Sequence, residues 1–275
     1  MESYNKCKVC SNETFQYLPT LKLVKCEKCG LIFFSERINN EDVESLYKDL
    51  YQNSPGYKQH KKQGLILEKG KQPPVGYNKK FVLKKILKNK DLNIGEIGAG
   101  VGVVAKYVMD LGYNYEGFEI HKAIAEIAAA EGLKIRPLGY EGLREFQNYF
   151  DAIVAFEVLE HIEDIDGCFR IMYKSLKNNG SIGFTVPNTE KYMNYEKIQT
   201  KLFQDNPPVH VNFFTIQSLK KILPLYGFEP RFLKVRKFPD MSMRSIYTYK
   251  SIVKMLFGKY YGSTILCVAQ KKYDI

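Results

Sequence analysis

The spacing of apolar residues follows a regular pattern from residue 77 onward. Apolar positions three and four apart predict amphipathic helices, and short apolar runs between them predict buried strands. The predicted helices cover residues 78–89, 103–112, 122–132, 166–179 and 215–227. The predicted strands cover residues 92–100, 114–120, 134–138, 149–157, 180–188, 229–237 and 263–272. Strands that alternate with helices indicate an α/β fold with helices on both faces of a mostly parallel sheet. We expect the last two strands to pair antiparallel at one sheet edge.

The same pattern divides the chain into three segments. Residues 1–35 form a small module, residues 36–89 form a helical and linker segment that covers the main site, and residues 90–275 form the large domain. Apolar residues at helical spacing predict a connecting helix over residues 36–52. Residues 53–76 are rich in Gly, Pro and Lys, which predicts a mobile loop or linker.

Composition narrows the functional classes. The 275-residue chain has no apolar run long enough to span a membrane and begins with a polar segment, so we expect a cytoplasmic protein with reduced thiols. The net charge is +11, with an acidic middle between two basic flanks. Basic flanks suit a phosphate-bearing small molecule, a nucleic acid or a membrane face, although scattered solvated lysines explain them equally well. The sequence does not predict an oligomeric state.

The four N-terminal cysteines form two pairs with metal-binding spacing. Cys7 and Cys10, then Cys26 and Cys29, give C-x2-C-x15-C-x2-C. Two such pairs can place four thiolates tetrahedrally around one Zn²⁺, and a site with four sulfur ligands has no open position for catalysis. We therefore predict a structural zinc ribbon. The remaining cysteines, Cys168 and Cys267, lie in helix and strand patterns and are predicted to be core residues.

A glycine-rich turn follows the first strand of the large domain. In GEIGAGVG the glycines Gly98, Gly100 and Gly102 follow Glu96, but position 103 is Val. A dinucleotide fingerprint, G-x-G-x-x-G, would need glycine there, so a nicotinamide cofactor is disfavoured. The next strand ends in Glu119, and a carboxylate at that position can accept both hydroxyls of a ribose.

The pattern acidic-x-G-x-G-x-G resembles the first motif of class I S-adenosylmethionine-dependent methyltransferases. The segments FDAIVAFEVLEHIEDIDGCFRIMYKSLKNNGSIGFTVPN and PPVHVNFFTIQSLKKILPLYGFE resemble later parts of the same superfamily. The resemblance implies a seven-stranded Rossmann-like sheet, mostly parallel with one antiparallel edge strand. It also implies that S-adenosylmethionine is bound by Glu96, Gly98, Ala99, Gly100, Gly102, Glu119, Ile120 and Phe156.

The N-terminal part carries a second, less specific resemblance. The segment CEKCGLIFFSERINNEDVESLYKDLY resembles the ribbon of methyltransferases encoded among sugar-nucleotide and surface-polysaccharide genes. This resemblance implies a nucleotide-linked sugar or a polysaccharide precursor as the acceptor. Lys and Arg residues within 57–90 and 231–244 are then expected to meet its diphosphate.

The candidate catalytic residues follow the strand FDAIVAF. Glu157, Glu160 and His161 are spaced i, i+3 and i+4, so in a helical turn they would share one face. The run resembles O-methyltransferases of quinone biosynthesis and small-RNA 2′-O-methyltransferases, and the second group adds a downstream histidine, here His210. The resemblance implies a divalent metal held by these carboxylates and histidines. Three hypotheses stay open: a Mg²⁺-like ion held by these four residues, a histidine acting as a metal-free general base, or residues that only cap a helix and hydrogen-bond the loops.

These observations favour methyl transfer to oxygen on a small phosphate-bearing acceptor, with nitrogen or carbon acceptors as further options. RNA methylation is the rival hypothesis, because a ribbon and basic flanks could grip a phosphate backbone. Lys rather than Arg dominates the flanks, and interleaved exposed aromatic residues are not evident from the sequence. A non-enzymatic alternative is an inactive methyltransferase fold that serves as a zinc-ribbon binding module.

Overall fold

The computed structural model describes residues 3–18, 22–38, 55–89, 91–190, 209–236, 252–253, 255–257 and 262–272. The large domain contains a seven-stranded sheet. Its strands are β4 (Asn93–Ile97), β5 (Asn114–Phe118), β6 (Ile135–Arg136), β7 (Phe150–Phe156), β8 (Leu176–Pro187), β10 (Phe228–Val235) and β11 (Thr264–Lys271). The spatial order is β10-β11-β8-β7-β4-β5-β6. Strands β4 to β8 are parallel, and β11 runs antiparallel to both β8 and β10. The predicted fold class and the antiparallel pairing of the last two strands are confirmed.

Six α-helices are described. They are α1 (Pro55–Leu67), α2 (Tyr77–Ile86), α3 (Val103–Asp110), α4 (Lys122–Ala130), α5 (Ile165–Ser175) and α6 (Ile216–Leu225), with 3-10 turns at Tyr140–Glu145 and Leu159–His161. One apolar core lies between the sheet and α2, α3 and α4, and a second lies between the sheet and α5 and α6. Within the described residues, no helix combines the length and apolar character needed to cross a membrane.

Helix α1 corrects the prediction of a loop over residues 53–76. The Lys and Gln residues of PGYKQHKKQGLIL are good helix formers, and proline is tolerated in a first helical turn. Its buried Leu67 packs in the same core as α2 and α3. The connecting helix predicted over residues 36–52 falls mainly on residues 39–54, which lie outside the described residues.

The N-terminal module shares a sheet with the large domain. Strands β1 (Phe15–Leu18), β2 (Leu23–Cys26) and β3 (Ile32–Phe34) form an antiparallel ribbon, and β9 (Asn212–Phe213) from the large domain adds a fourth strand to β3. Residues 3–38 are called the ribbon below. Some of its buried residues, such as Val24 and Phe33, belong to the core that contains α5 and α6, and others, such as Ile32, pack with Phe213 of β9. The ribbon is therefore packed into the large domain beside β9.

Candidate cofactor and acceptor site

The glycine turn lies at the carboxyl edge of the central strands, where α/β proteins bind ligands. Gly98, Gly100 and Gly102 have φ angles of +69°, +56° and +90°, which L side chains rarely adopt. A Cβ on Gly98 would lie 2.4 Å from a methyl carbon of Val158. The glycine turn therefore packs directly against the turn that follows β7. This contact joins the predicted cofactor residues to the predicted acceptor residues.

Glu119 is buried just beyond β5 and is oriented by two backbone amides. One carboxylate oxygen accepts a hydrogen bond from the Gly100 amide, and the other accepts one from the His121 amide, both at 2.9 Å. Burial raises the pKa of Glu119, while the two amides act in the opposite direction. Since a carboxylate has about four acceptor positions, two stay available for ribose hydroxyls.

Glu96 is fully buried in β4, one strand away. The Tyr115 hydroxyl donates to its Oε2, whereas its Oε1 has no hydrogen-bond partner among the described residues. Burial raises the pKa of Glu96 to about 7, and the positive charge of Lys79 opposes this shift. A buried acceptor oxygen without a partner fits a cationic ligand group such as the ammonium of S-adenosylmethionine.

Two further residues, His60 and Lys79, lie near the predicted cofactor residues, and of these only Lys79 had a predicted role, as one of the basic residues within 57–90. The ring of His60 in α1 is 2.6 Å from the position that a Cβ on Gly100 would take. The ammonium of Lys79 in α2 is 5.4 Å from the ring centroid of Phe156, the last residue of β7. Burial, assisted by the charge of Lys79, lowers the pKa of His60 to about 4. The Lys and Gln residues of 55–67 favour a helix, and this signal could have placed His60 on a helix rather than in a linker. The Gly and Pro residues of 53–76 indicated a linker instead.

The other predicted cofactor residues surround the same turn. Ala99 is buried, Phe156 is 5% exposed, and Ile120 is 71% exposed just beyond Glu119. An exposed isoleucine next to an oriented carboxylate offers an apolar surface to an adenine ring. The glycine turn, the acceptor atoms of Glu96 and Glu119 and the exposed Ile120 are thus compatible with bound S-adenosylmethionine.

Glu160, His161 and His210 form a second cluster on the far side of Val158. One potential ligand atom from each lies within 4.8 Å of the others, and the two imidazole centroids are 4.6 Å apart. Glu160 is 2% exposed, and its carbonyl accepts a hydrogen bond from the Val211 amide at 2.8 Å. The structure brings together three of the four predicted catalytic residues.

The side chain of Asn212 supports the backbone of this cluster. Its amide nitrogen donates to the carbonyls of Leu159 and Ile162, at 3.0 and 2.7 Å. These two residues flank Glu160 and His161, and Asn212 itself lies in β9 beside the ribbon. The sequence pattern around Asn212 did not indicate this role.

The two histidines differ in their hydrogen bonding and environment. The Nδ1 atom of His161 is 2.8 Å from the Val209 carbonyl, which can only accept, so Nδ1 carries the hydrogen and Nε2 carries the lone pair of the neutral ring. Burial, followed by the nearby His161, lowers the pKa of His210 to about 3. His210 is therefore neutral near pH 7 and a weak base, while the Nε2 of His161 can accept a proton or bind a metal ion.

Glu157 does not join this cluster. It has a left-handed backbone with φ +58°, and its amide donates to the Thr185 carbonyl at 2.9 Å. This conformation turns the chain before the 3-10 turn begins, so Glu157 is exposed whereas Glu160 is buried. The helical face that the spacing predicted for Glu157, Glu160 and His161 is not formed.

The four ribbon cysteines come together as their spacing predicts. One sulfur from each lies within 4.8 Å of the others, with Cys7–Cys29 at 3.6 Å and Cys10–Cys26 at 3.5 Å. Tetrahedral Zn–S bonds of about 2.3 Å would place sulfur atoms about 3.8 Å apart, so the cluster is compatible with a zinc ribbon. Cys168 and Cys267 are buried in the core, as predicted.

Comparison with known proteins identifies the family. A family model described as a methyltransferase domain matches residues 75–231, more than half of the chain. The chain belongs to this methyltransferase family. Together with the cofactor site, this membership identifies an S-adenosylmethionine-dependent methyltransferase. A search of curated protein sequences finds no match for the methyltransferase.

Solved structures share the fold. An S-adenosylmethionine-dependent methyltransferase from Mesorhizobium loti is 16% identical, with a TM-score of 0.54 over 71% of this chain and 98% of that one. A methyltransferase from Archaeoglobus fulgidus is 16% identical, with a TM-score of 0.51 over 71% and 95%. A Haloferax volcanii structure that contains the Trm112 methyltransferase activator and a methyltransferase gives 13% identity and a TM-score of 0.56 over 72% and 90%. At these identities the similarity supports the fold and leaves the acceptor open.

The Glu119 carboxylate gives the first testable prediction. Replacing Glu119 with alanine should weaken S-adenosylmethionine binding by about 1.5–3 kcal/mol, because a charge-assisted acceptor of two hydroxyls is lost. Isothermal titration measures the change. Glu116→Ala is a matched control, since Glu116 lies on β5, three residues before Glu119, but pairs with Arg136. An unchanged dissociation constant for Glu119→Ala would reject the assignment of this residue to the ribose.

Proposed function

We propose that the methyltransferase transfers a methyl group from S-adenosylmethionine to a hydroxyl oxygen of a small phosphate-bearing acceptor. The favoured acceptor is a nucleotide-linked sugar or a surface-polysaccharide precursor. The observation that carries the proposal is the cluster of Glu160, His161 and His210 beside the glycine turn, joined to it by the contact between Val158 and Gly98. A hydroxyl placed between the two sites would meet the methyl group on one side and a histidine on the other.

Methyl transfer requires two contributions from the protein, which are alignment of the reacting atoms and removal of a proton. The sulfonium is a good electrophile, so alignment of oxygen, methyl carbon and sulfur supplies much of the rate. The acceptor must also lose its proton, and the lone pair on Nε2 of His161 is the suitable proton acceptor. His210 is the weaker base because its pKa is lowered by burial. We assign His161 the role of proton acceptor. His210 is the neighbouring ring that packs against His161.

A divalent ion is the competing mechanism at the same cluster. When bound, such an ion would lower the pKa of the acceptor hydroxyl. Glu160, His161 and His210 would hold it, and Glu157 lies outside the group. Two imidazoles and one carboxylate suit Mn²⁺ or a similar transition ion better than Mg²⁺, which prefers oxygen ligands. We also propose that the cysteine cluster holds a structural zinc.

Salt dependence separates the proposed small acceptor from the rival RNA acceptor. An enzyme that binds an RNA backbone should lose affinity steeply as the salt concentration rises, since each phosphate contact releases counterions. Six contacts would reduce affinity about 10³-fold between 50 and 200 mM salt. We expect UDP-sugar binding to change by less than about tenfold over this range. Tight RNA binding with a steep slope, together with methyl transfer to that RNA, would overturn the proposal.

A further inference from the structure

Lys79 brings a positive charge to the predicted cofactor site from a helix outside the sequence motifs of that site. Val82 and Ile86, further along α2, pack against Gly183 in β8. Because Gly183 has no side chain, α2 lies close to the sheet there. The first turn of α2 is consequently held near the carboxyl edge of the sheet. The Lys79 ammonium lies 5.4 Å from the ring centroid of Phe156, the last residue of β7.

The Lys79 ammonium lies among the charged and titratable groups around the glycine turn. Its charge opposes the rise in the pKa of Glu96 and contributes to the low pKa of His60, so it is within electrostatic reach of both side chains. The ring of His60 lies beside Gly100. Lys79 is half-buried and forms no salt bridge within the described ranges. A half-buried ammonium without an ionic partner favours an anionic ligand group at this place.

The order of the strands places Lys79 at the amino-acid end of the predicted cofactor position. The neighbouring strands β5, β4 and β7 lead, in that order, to Glu119, to the glycine turn after Glu96, and to Phe156. With its ribose at Glu119 and its ammonium at Glu96, the cofactor extends across β4 in the direction of β7. An amino acid carries its ammonium and its carboxylate on the same carbon atom. The group that binds the carboxylate is therefore expected beside Glu96, on the side of β7, and Lys79 supplies a cation there.

We propose that Lys79 binds the carboxylate of the methionine part of S-adenosylmethionine and selects for donors that carry this carboxylate. Glu96 and Lys79 then form a complementary pair, one for the ammonium and the other for the carboxylate of the same ligand. This inference goes beyond the proposed function, because it concerns the methyl donor and not the acceptor. It also separates Lys79 from the other basic residues of 57–90, which the sequence predicts to meet an acceptor diphosphate.

Isothermal titration with two probes tests the inference. The first probe is S-adenosylhomocysteine, and the second is its decarboxylated analogue, which keeps the adenosine, the thioether and the amino group. Lys79→Ala should weaken the binding of S-adenosylhomocysteine about tenfold or more, because a charge-assisted contact with the carboxylate is lost. The same variant should bind the analogue as the wild type does, which also shows that the variant is folded. Lys79→Arg keeps the charge and should retain most of the affinity for S-adenosylhomocysteine.

Lys80→Ala is the matched control, since Lys80 is the next residue of α2, is exposed, and lies 5.8 Å from the ring centroid of Tyr107. It should bind both probes with wild-type affinity. Glu96→Gln should weaken the binding of both probes, because both carry the ammonium.

Two results would overturn the inference. Equal losses of affinity for the two probes in Lys79→Ala would show that Lys79 acts only through its effect on the charge of Glu96. Unchanged affinity of Lys79→Ala for S-adenosylhomocysteine would show that Lys79 does not contact the cofactor. In both cases, binding of S-adenosylhomocysteine by the wild-type protein would leave the cofactor site and the proposed methyl transfer intact. A wild-type protein that does not bind S-adenosylhomocysteine would contradict the cofactor site and the inference together.

Discussion

Replacing Cys26 with serine is expected to remove zinc from the protein and to loosen the loop that carries Glu160 and His161. Cys26 is fully buried within the cluster of four thiols. Serine is a poor zinc ligand, and the free energy of binding a structural zinc contributes directly to folding. The ribbon should therefore lose its order, although it is far from the catalytic loop in the sequence.

The ribbon is joined to the loop that carries Glu160 and His161 by a partly buried ion pair. Lys8 lies between Cys7 and Cys10, its side chain is 2% exposed, and its Nζ is 2.8 Å from Oε2 of Glu163. The hydroxyl of Tyr4 donates to the other oxygen of Glu163 at 2.5 Å. Loss of the ribbon should remove this pair along with the β3–β9 hydrogen bonds.

Metal analysis and hydrogen exchange measure these effects. Wild-type protein should contain one zinc per chain, and Cys26→Ser should contain none. In the variant, the amides of residues 157–163 and 209–213 should exchange faster than in the wild-type protein. This increase in exchange rate should be larger than that of the amides in β5. The melting temperature should fall by at least roughly 6 °C, given a loss of about 3 kcal/mol of the folding free energy that zinc binding contributes. Cys267→Ser changes a buried cysteine away from the ribbon and should keep its zinc. Wild-type protein with four freely titrating thiols and no zinc would reject the prediction, as would zinc loss without faster exchange at 157–163.

The predictable parts of the molecule are those encoded over short stretches of sequence. The sheet follows from apolar runs of strand length, and the glycine turn follows from one short motif. The cysteine cluster follows from two C-x2-C pairs. In each of these cases the interacting residues are close in sequence or repeat with a fixed period, so the local pattern carries the information.

The parts that were missed depend on contacts between distant segments. His60 lies beside Gly100 because α1 packs over the glycine turn, and the composition around His60 indicated a linker. The positive φ of Glu157 separates it from Glu160, whereas the i, i+3 spacing assumed a continuous helical turn. The rings of Phe81 in α2 and Phe232 in β10 pack together, although about 150 residues of sequence separate them.

His161→Ala and His210→Ala are each expected to reduce turnover by roughly 10²–10⁴-fold, the effect of losing a general base or a catalytic metal ligand. Affinity for S-adenosylmethionine should be unchanged, since neither residue is one of the predicted cofactor residues. The rate is measured as formation of S-adenosylhomocysteine with a nucleotide-linked sugar. If both variants retain full activity, the histidines only support the loops, and the proton acceptor must lie elsewhere.

Chelation distinguishes the two mechanisms at this cluster. If brief exposure to EDTA abolishes activity while the ribbon keeps its zinc, and Mn²⁺ restores activity better than Mg²⁺, the ion mechanism holds. Glu160→Ala should then be as impaired as the histidine variants. Glu157→Ala should be clearly less impaired, because Glu157 is exposed and lies outside the cluster. If Glu157→Ala and Glu160→Ala lose the same amount of activity, Glu157 is also a metal ligand, which contradicts its position outside the cluster.

If EDTA has no effect, proton transfer to a histidine is the mechanism. His161→Ala should then be the more damaging substitution, because burial makes His210 the weaker base.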